Sequence, residues 1–147
     1  MKIFNKRARF DYEIKETFEA GITLYGAEVK AIRLGQVDIT GSHVRITNDE
    51  AFLIGAKIYP YKYARPDQYD ENRTRKLLLH KKQIVSLKSK IEGLGLSLVP
   101  ISLYDKNHLI KVEIGLGKGK KEYQKKESIK KRDIQRDIER ELEPRKQ

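Results

Sequence analysis

From Leu109 to Leu116 the chain reads LIKVEIGL, with Ile110, Val112, Ile114 and Leu116 on one side and Lys111 and Glu113 on the other. A period of two means a strand with one buried face. The same period recurs upstream. Phe10, Tyr12 and Ile14 face away from Asp11, Glu13 and Lys15, which predicts a half-buried strand starting at Phe10, and Gly21 in EAG predicts the turn that ends it. Val44 and Ile46, then Phe52, Ile54 and Ile58, predict the two arms of a hairpin, with Asn48, Asp49 and Glu50 at its turn. LSLVPISLY, residues 96–104, is a further strand. Its Pro100 has no N–H to give a ladder and marks an edge or a bulge. Asp105 to His108 turn the chain into the strand described first.

Helical patterning is modest by comparison. GAEVKAIRLG, residues 26–35, is about two turns long, with Val29 and Ile32 three apart and Gly35 as a stop. HKKQIVSLKSKIEG, residues 80–93, carries Ile84, Leu87 and Ile91 as a stripe, with Gly93 at its end. Between hairpin and second helix, residues 59–75 hold two prolines, four tyrosines and many polar groups, which predicts a long loop. The expected fold class is all-β to α+β. A small antiparallel set hides its edges best by curling into a barrel, and an OB-type barrel is one such solution. At 147 residues the chain suits one domain.

After Leu116 the alternation stops. GKGKKEYQKKESIKKR, residues 117–132, replaces it, and between Lys118 and Arg132 eight residues are basic and two acidic. The expected division is therefore a body over residues 1–117 and a tail over 118–147. The tail has few aliphatic residues, but Ile134, Ile138 and Leu142 are spaced by four. Asp133 with Arg136 and Asp137 with Arg140 are i, i+3 ion pairs, each worth roughly 0.2–0.5 kcal/mol to a helix. Fixing one residue's backbone costs roughly 1–2 kcal/mol, so these pairs cannot order the segment alone. The tail is expected to be disordered when free and helical when laid on a partner.

Charge narrows the partner. The net charge is +11, with 12 Lys+Arg against 7 Asp+Glu in residues 118–147 and 20 against 14 in the rest. Such an excess either serves solubility or meets a polyanion, which is nucleic acid or an anionic membrane surface. No stretch reaches the ~20 apolar residues of a membrane span. The basic start, MKIFNKRARF, lacks the apolar core of a signal peptide. The chain has no cysteine, which excludes disulfides and thiolate metal sites and fits a reducing cytoplasm.

Several clusters bear on nucleic acid. In KGKKEYQKK the glycine lets the backbone approach a phosphate chain, the lysines neutralise it, and Tyr123 is free to stack on a base. NKRAR, residues 5–9, is a basic cluster ahead of the first strand, or simply a solvated terminus. RTRK, residues 73–76, would put cations at a rim where the loop enters LLLHKK. Glu28 is an acid among bases. It is either a surface salt-bridge partner or a carboxylate that accepts base amino or ribose hydroxyl protons. His43, His80 and His108 are scattered, so no metal site is expected. GLGKG lacks the Lys-Ser/Thr that completes a phosphate loop, and nothing points to catalysis or a cofactor.

Four segments together, NKRARFDYEI, FEAGITLYGAEVKAIRLG, TRKLLLHKKQI and IGLGKGKKEYQKKE, closely resemble the SsrA-binding (SmpB) family, in order from Asn5 to about Arg140. The resemblance implies an OB-type barrel with flanking helices and a tail that orders on binding. It implies a non-enzymatic adaptor that binds the tRNA-like domain of transfer-messenger RNA (tmRNA) and brings it to stalled ribosomes for trans-translation; a monomer is expected, since nothing in the sequence suggests an obligate oligomer. The body would stand in for the missing anticodon arm, and the tail would enter the empty mRNA channel.

The family's RNA-binding positions fall on Asn5, Lys6, Arg7, Glu28, Leu78 and His80. Lys30 and Arg33 in the first helix, and Arg75, Lys76 and Lys81 around LLLH, complete the expected RNA-facing set. For the ribosome, the expected contacts are Lys118, Lys120, Lys121, Tyr123, Lys125, Lys126, Lys130, Lys131 and Arg132. Three features depart from the family pattern. Gly117 stands for its alanine, Gln124-Lys125-Lys126 for its Asp-Lys-Arg, and His80 where asparagine is commoner. The competing reading of the residues is a general RNA chaperone or ribosome-associated protein.

Overall fold

The computed structural model describes residues 1–60 and 69–142. They form a mostly antiparallel β structure with a few helices. The strands are β1 (Lys2–Phe4), β2 (Tyr12–Ile22), β3 (Val37–Asp38), β4 (His43–Thr47), β5 (Glu50–Ile54), β6 (Lys57–Ile58), β7 (Arg75–Leu78), β8 (Ser97–Lys106) and β9 (Leu109–Gly119). The helices are α1 (Ala8–Asp11), α2 (Gly26–Arg33), α3 (Lys81–Leu94) and α4 (Glu122–Leu142).

Seven strands share one sheet in the order β1-β8-β4-β5-β7-β2-β9, and β9 pairs back onto β8. The pairings therefore close a ring of six strands, with β1 as an extra strand on β8. Closure works because β8 serves three neighbours. Leu98 pairs with Val44 of β4, residues 102–104 pair with β1, and nearly the whole strand pairs with β9. The change of neighbours coincides with a register shift between Pro100 and Ser102. This is the bulge that a proline without an N–H favours.

Alternation delivers the inner face. Ile110, Val112, Ile114 and Leu116 of β9 are all buried, as are Leu53 of β5, Leu77 of β7 and Leu103 of β8. Ala31 and Ile32 of α2 join this core. Ile84 and Leu87 of α3 are buried as well, as their stripe predicts. A smaller cluster of Ala8, Val99 and Ile101, with Tyr12 and Ile14 against it, seats α1.

The turns obey local chemistry. Asn48 and Asp49 (φ 51° and 58°), and Asn107 and His108 (φ 51° and 65°), are left-handed pairs joining β4 to β5 and β8 to β9. Gly95 caps α3 at φ 64°.

The expected elements need four corrections. Phe10 lies in α1, and the strand starts at Tyr12, because Ala8 buries itself against Val99 and Ile101 and a helical turn forms first. Gly21 is no turn. It sits in β2 opposite Leu78 and Lys111, and β2 continues to Ile22. Ile58 belongs to β6, which pairs with β3, rather than to the hairpin arm. α3 runs through Gly93 and stops one residue after it, since Gly95 is the residue that adopts the left-handed cap. The expected loop over 59–75 ends one residue early, at Thr74, since Arg75 begins β7, and its residues 61–68 lie outside the described part.

Candidate nucleic-acid interface

β7 is built on a period of two. Arg75 and Leu77 point inward and are fully buried, while Lys76 and Leu78 point outward, Leu78 being 56% exposed. The strand then delivers His80 to the N-cap of α3, where Gln83 Oε1 accepts from the His80 N–H at 3.1 Å. Lys81 opens the helix on the exposed side. These outward residues border a cleft of about 690 Å³ that also includes Gly21, Glu50 and Lys111. Lys76 pairs with Glu50 at 3.3 Å. At Gly21 the Leu78 side chain lies close over the backbone, so that an added Cβ would stand 3.2 Å from it. The face offers cations for phosphate, carboxylates for base amino or hydroxyl groups, and an exposed leucine for apolar contact.

Glu28 lies behind this face, not on it. It is 1% exposed, and its carboxylate takes three donors. Arg75 Nε donates to Oε2 at 2.7 Å. Arg73 Nη2 and the Tyr25 N–H donate to Oε1 at 2.5 and 2.9 Å. Burial opposes the charge on Glu28, but the Arg73, Tyr25 and Arg75 hydrogen bonds outweigh it and hold the carboxyl below its usual range. Arg75 spends its other donors on the carbonyls of Ala56 and Glu71.

The expectation that RTRK puts cations at a rim therefore needs correcting for Arg75, because strand alternation sends it into the core. The same geometry leaves neither of the two expected roles for Glu28. It is not a surface ion pair, and its oxygens already serve α2, Arg73 and Arg75.

At the chain start, Asn5 is also buried. Its Nδ2 donates to the Pro100 carbonyl at 2.9 Å, its N–H to the Ile101 carbonyl at 2.8 Å, and its Oδ1 accepts from the Arg7 N–H at 3.2 Å. Asn5 thus fills the gap at the β8 bulge and aims Lys6 and Arg7 outward, and both are exposed. Arg7 pairs with Asp11 at 3.3 Å. On α2, Lys30 is exposed. Arg33 bonds Asp105 at 3.3 Å and the His108 carbonyl at 2.9 Å, tying α2 to the β8–β9 turn.

The structure does not gather these residues at one point. Leu78 pairs with Gly21 near one end of β2, and α1 enters the other end at Tyr12. Nine residues of strand span roughly 30 Å. The expected set thus forms two patches: Lys76, Leu78, His80 and Lys81 at one end, and Lys6 and Arg7 at the other.

The tail starts beside the second patch. Lys118 is still in β9, opposite Glu13, and Gly119 pairs with Tyr12. The Lys120 N–H donates to the Asp11 carbonyl at 2.8 Å, and its ammonium to the Arg9 carbonyl at 2.9 Å. Lys121 precedes α4 and is exposed. Lys125 lies 3.6 Å from Asp11, and the Arg132 guanidinium sits 5.9 Å from the Phe10 ring centre. Tyr123 is 59% exposed, and Lys126 and Lys130 are exposed. The Lys131 side chain and residues 143–147 lie outside the described part.

Of the residues bonded to Glu28, Tyr25 is not singled out by the sequence, and Arg73 is expected there only as a rim cation of RTRK. Both had signals. Arg73 shares the two-residue period of Arg75 and Leu77, and Glu28 three residues after Tyr25 is the N3 acid of a helix start. Among the described residues no group of three or more His, Cys, Asp or Glu suits a metal, and no helix is long and apolar enough to cross a membrane.

A closed antiparallel sheet, two patches of outward cations and a lysine-rich C-terminal helix define a basic protein built to meet a polyanion over a broad surface. The chain belongs to the SmpB protein family, whose model matches residues 2–144. It is 49% identical to an SsrA-binding protein of Oleidesulfovibrio alaskensis over 94% of this chain and 89% of that one. It is 50% identical to one of Persephonella marina over 91% and 88%. A solved chain described as "tmRNA-SmpB: a journey to the center of the bacterial ribosome" superposes with a TM-score of 0.67 at 47% identity, covering 82% of this chain and 85% of that one.

Proposed function

We propose that this protein is a non-enzymatic adaptor that binds the tRNA-like domain of tmRNA and delivers it to stalled ribosomes for trans-translation. The observation that carries the reading is the extent of the family match, residues 2–144, which spans the body and most of the tail together. The SsrA-binding names of the relatives, and the tmRNA and ribosome of the solved neighbour, supply the partners. The protein works as a cytoplasmic monomer without cofactor or metal.

We read the ring of six strands as an OB-type barrel. The pairing of β9 back onto β8 supports this reading. The cleft beside Leu78 and His80 takes the RNA, with Lys76 and Lys81 neutralising phosphate, while Glu28, Arg75 and Asn5 position the surface from behind. The tail takes the ribosome. Helix α4 is the form it adopts in the mRNA channel, and free in solution it is disordered, because isolated i, i+3 pairs do not offset backbone entropy.

The test is truncation after Lys121, which leaves the Gly119–Tyr12 pairing and the Lys120 contacts in place. The shortened protein is expected to hold a tRNA-like transcript nearly as well as the full chain, yet to lose tagging of stalled chains in a reconstituted translation reaction. Full tagging by the shortened protein would overturn the division of labour. Equal displacement by bulk tRNA would favour a general RNA chaperone instead.

A further inference from the structure

We propose that the Tyr25 ring, backed by the Arg73 guanidinium, is a stacking platform for one unpaired base of the bound RNA. This rests on the RNA-binding reading above and assigns a second contact beside the cleft.

Tyr25 is the most exposed aromatic residue among the described ones, at 66%. It sits at the N-cap of α2 in an extended conformation (φ −80°, ψ 159°), so the helix start projects its ring instead of folding it onto the core. The guanidinium carbon of Arg73 lies 4.3 Å from the ring centre, a shorter separation than at the cation–ring contacts of Lys2, Arg7 and Arg132. Arg73 thus lies over the ring, and the residue still exposes two thirds of its surface.

A single oxygen holds the Tyr25 backbone and the Arg73 side chain together. Glu28 Oε1 accepts from the Tyr25 N–H and from Arg73 Nη2, and Arg73 Nη2 also lies 3.3 Å from the Thr23 carbonyl. Arg73 Nε is buried and has no hydrogen-bond partner among the described residues, so packing on the ring and the Glu28 bond set the orientation of the guanidinium.

A solvated tyrosine normally samples several rotamers, and ordering it on binding costs affinity. Here the Arg73 guanidinium, 4.3 Å from the ring centre and itself held by Glu28, restrains the ring beforehand. A restrained ring that stays exposed, next to a cation, is the arrangement that stacks a splayed base without reading its edge.

Position favours the same occupant. The Thr23 N–H donates to the Lys76 carbonyl at 2.9 Å, so Tyr25 lies one short step along the chain from the strand that carries Lys76 and Leu78. A backbone tracked by Lys76 would present a base near the ring.

The chain has no tryptophan, so Tyr25→Trp places a single indole at the site. Titrated with a tRNA-like transcript at fixed salt, its emission is expected to be quenched at saturation. Tyr25→Ala is expected to bind that transcript roughly 5–150-fold more weakly, the range for losing one base stack. The slope of log K against log salt should stay unchanged, since no phosphate contact is lost, and Tyr25→Phe should bind as the parent does. Affinity of Tyr25→Ala within twofold of the parent, or indole emission indifferent to saturating RNA, would overturn the platform. If Tyr25→Ala is also destabilised, the quenching of the folded Tyr25→Trp protein decides. Failure of the parent to prefer the transcript over bulk tRNA is a separate outcome that sinks the RNA reading itself.

Discussion

Arg75 Nε donates to Glu28 Oε2 at 2.7 Å, with both side chains withdrawn from solvent, 0% and 2% exposed. The bond joins α2 to β7 across 47 residues of sequence. Its consequence is that the acid expected to touch RNA instead anchors the helix that carries Tyr25.

Breaking a buried pair from one side costs roughly 3–5 kcal/mol; loss of Glu28 strands both arginines, whereas loss of Arg75 leaves Glu28 with Arg73. Arg75→Met and Glu28→Gln are each expected to lower the melting temperature by on the order of 10 °C. Together they should lose less than the sum of the single losses, because Arg75→Met removes one of the charges that Glu28→Gln strands. A double-mutant cycle on thermal melts reads this directly. Additive losses would mean that the pair is not coupled.

pH provides an independent handle on the same carboxylate. Glu28 is held below the ordinary glutamate value of 4.5, so its unfolded form takes up protons first as pH falls. Its stabilisation is complete above about pH 4.5 and is lost as pH drops through the lower native value. Glu19, held low by the Tyr104 hydroxyl and to a lesser degree by Lys106, shares that direction. The parent should therefore lose stability with acid more steeply than Glu28→Gln, which keeps Glu19 but lacks Glu28. Parallel urea-midpoint curves for the two proteins between pH 5 and pH 3 would show that Glu28 does not titrate in this way.

Much of this was legible in the sequence, and the reason is periodicity. Ile110, Val112, Ile114 and Leu116 announced a strand with one buried face, and the stripe of Ile84 and Leu87 announced a helix. Pro100 signals an edge or a bulge, because a missing donor is a local fact, and the register shift beside it is a bulge. Ring closure was less accessible, since it depends on β9 pairing at once with β2 and β8, which no local pattern encodes.

The site was legible by residue type and illegible by depth. Asn5, Glu28 and Arg75 are polar residues that suit an RNA surface, and all three are buried because long-range partners satisfy them: the Pro100 carbonyl for Asn5, and each other for Glu28 and Arg75. Sequence spacing alone does not distinguish a polar group that faces solvent from one whose partner lies 47 or 95 residues away.

Gly117 tests how tightly β2 and β9 are apposed. An added Cβ there would stand 2.7 Å from the Glu13 carbonyl oxygen and 3.2 Å from Ile14 Cδ1, contacts with backbone as well as a side chain. The glycine therefore allows an approach that a side chain would resist. The neighbouring register shift between Ile14 and Glu16 is the one irregularity of the β2–β9 pairing. Gly117→Ala must push β2 away or spread this bulge, and overpacking of this kind costs roughly 1–3 kcal/mol. The expected result is a lower melting temperature, with faster amide exchange at Ile14 and Lys118 and unchanged exchange at Val112, which lies further along the ladder. A melting temperature at or above the parent's would show that the bulge absorbs the methyl group, and that the close approach is a consequence of the glycine, not a requirement of the fold.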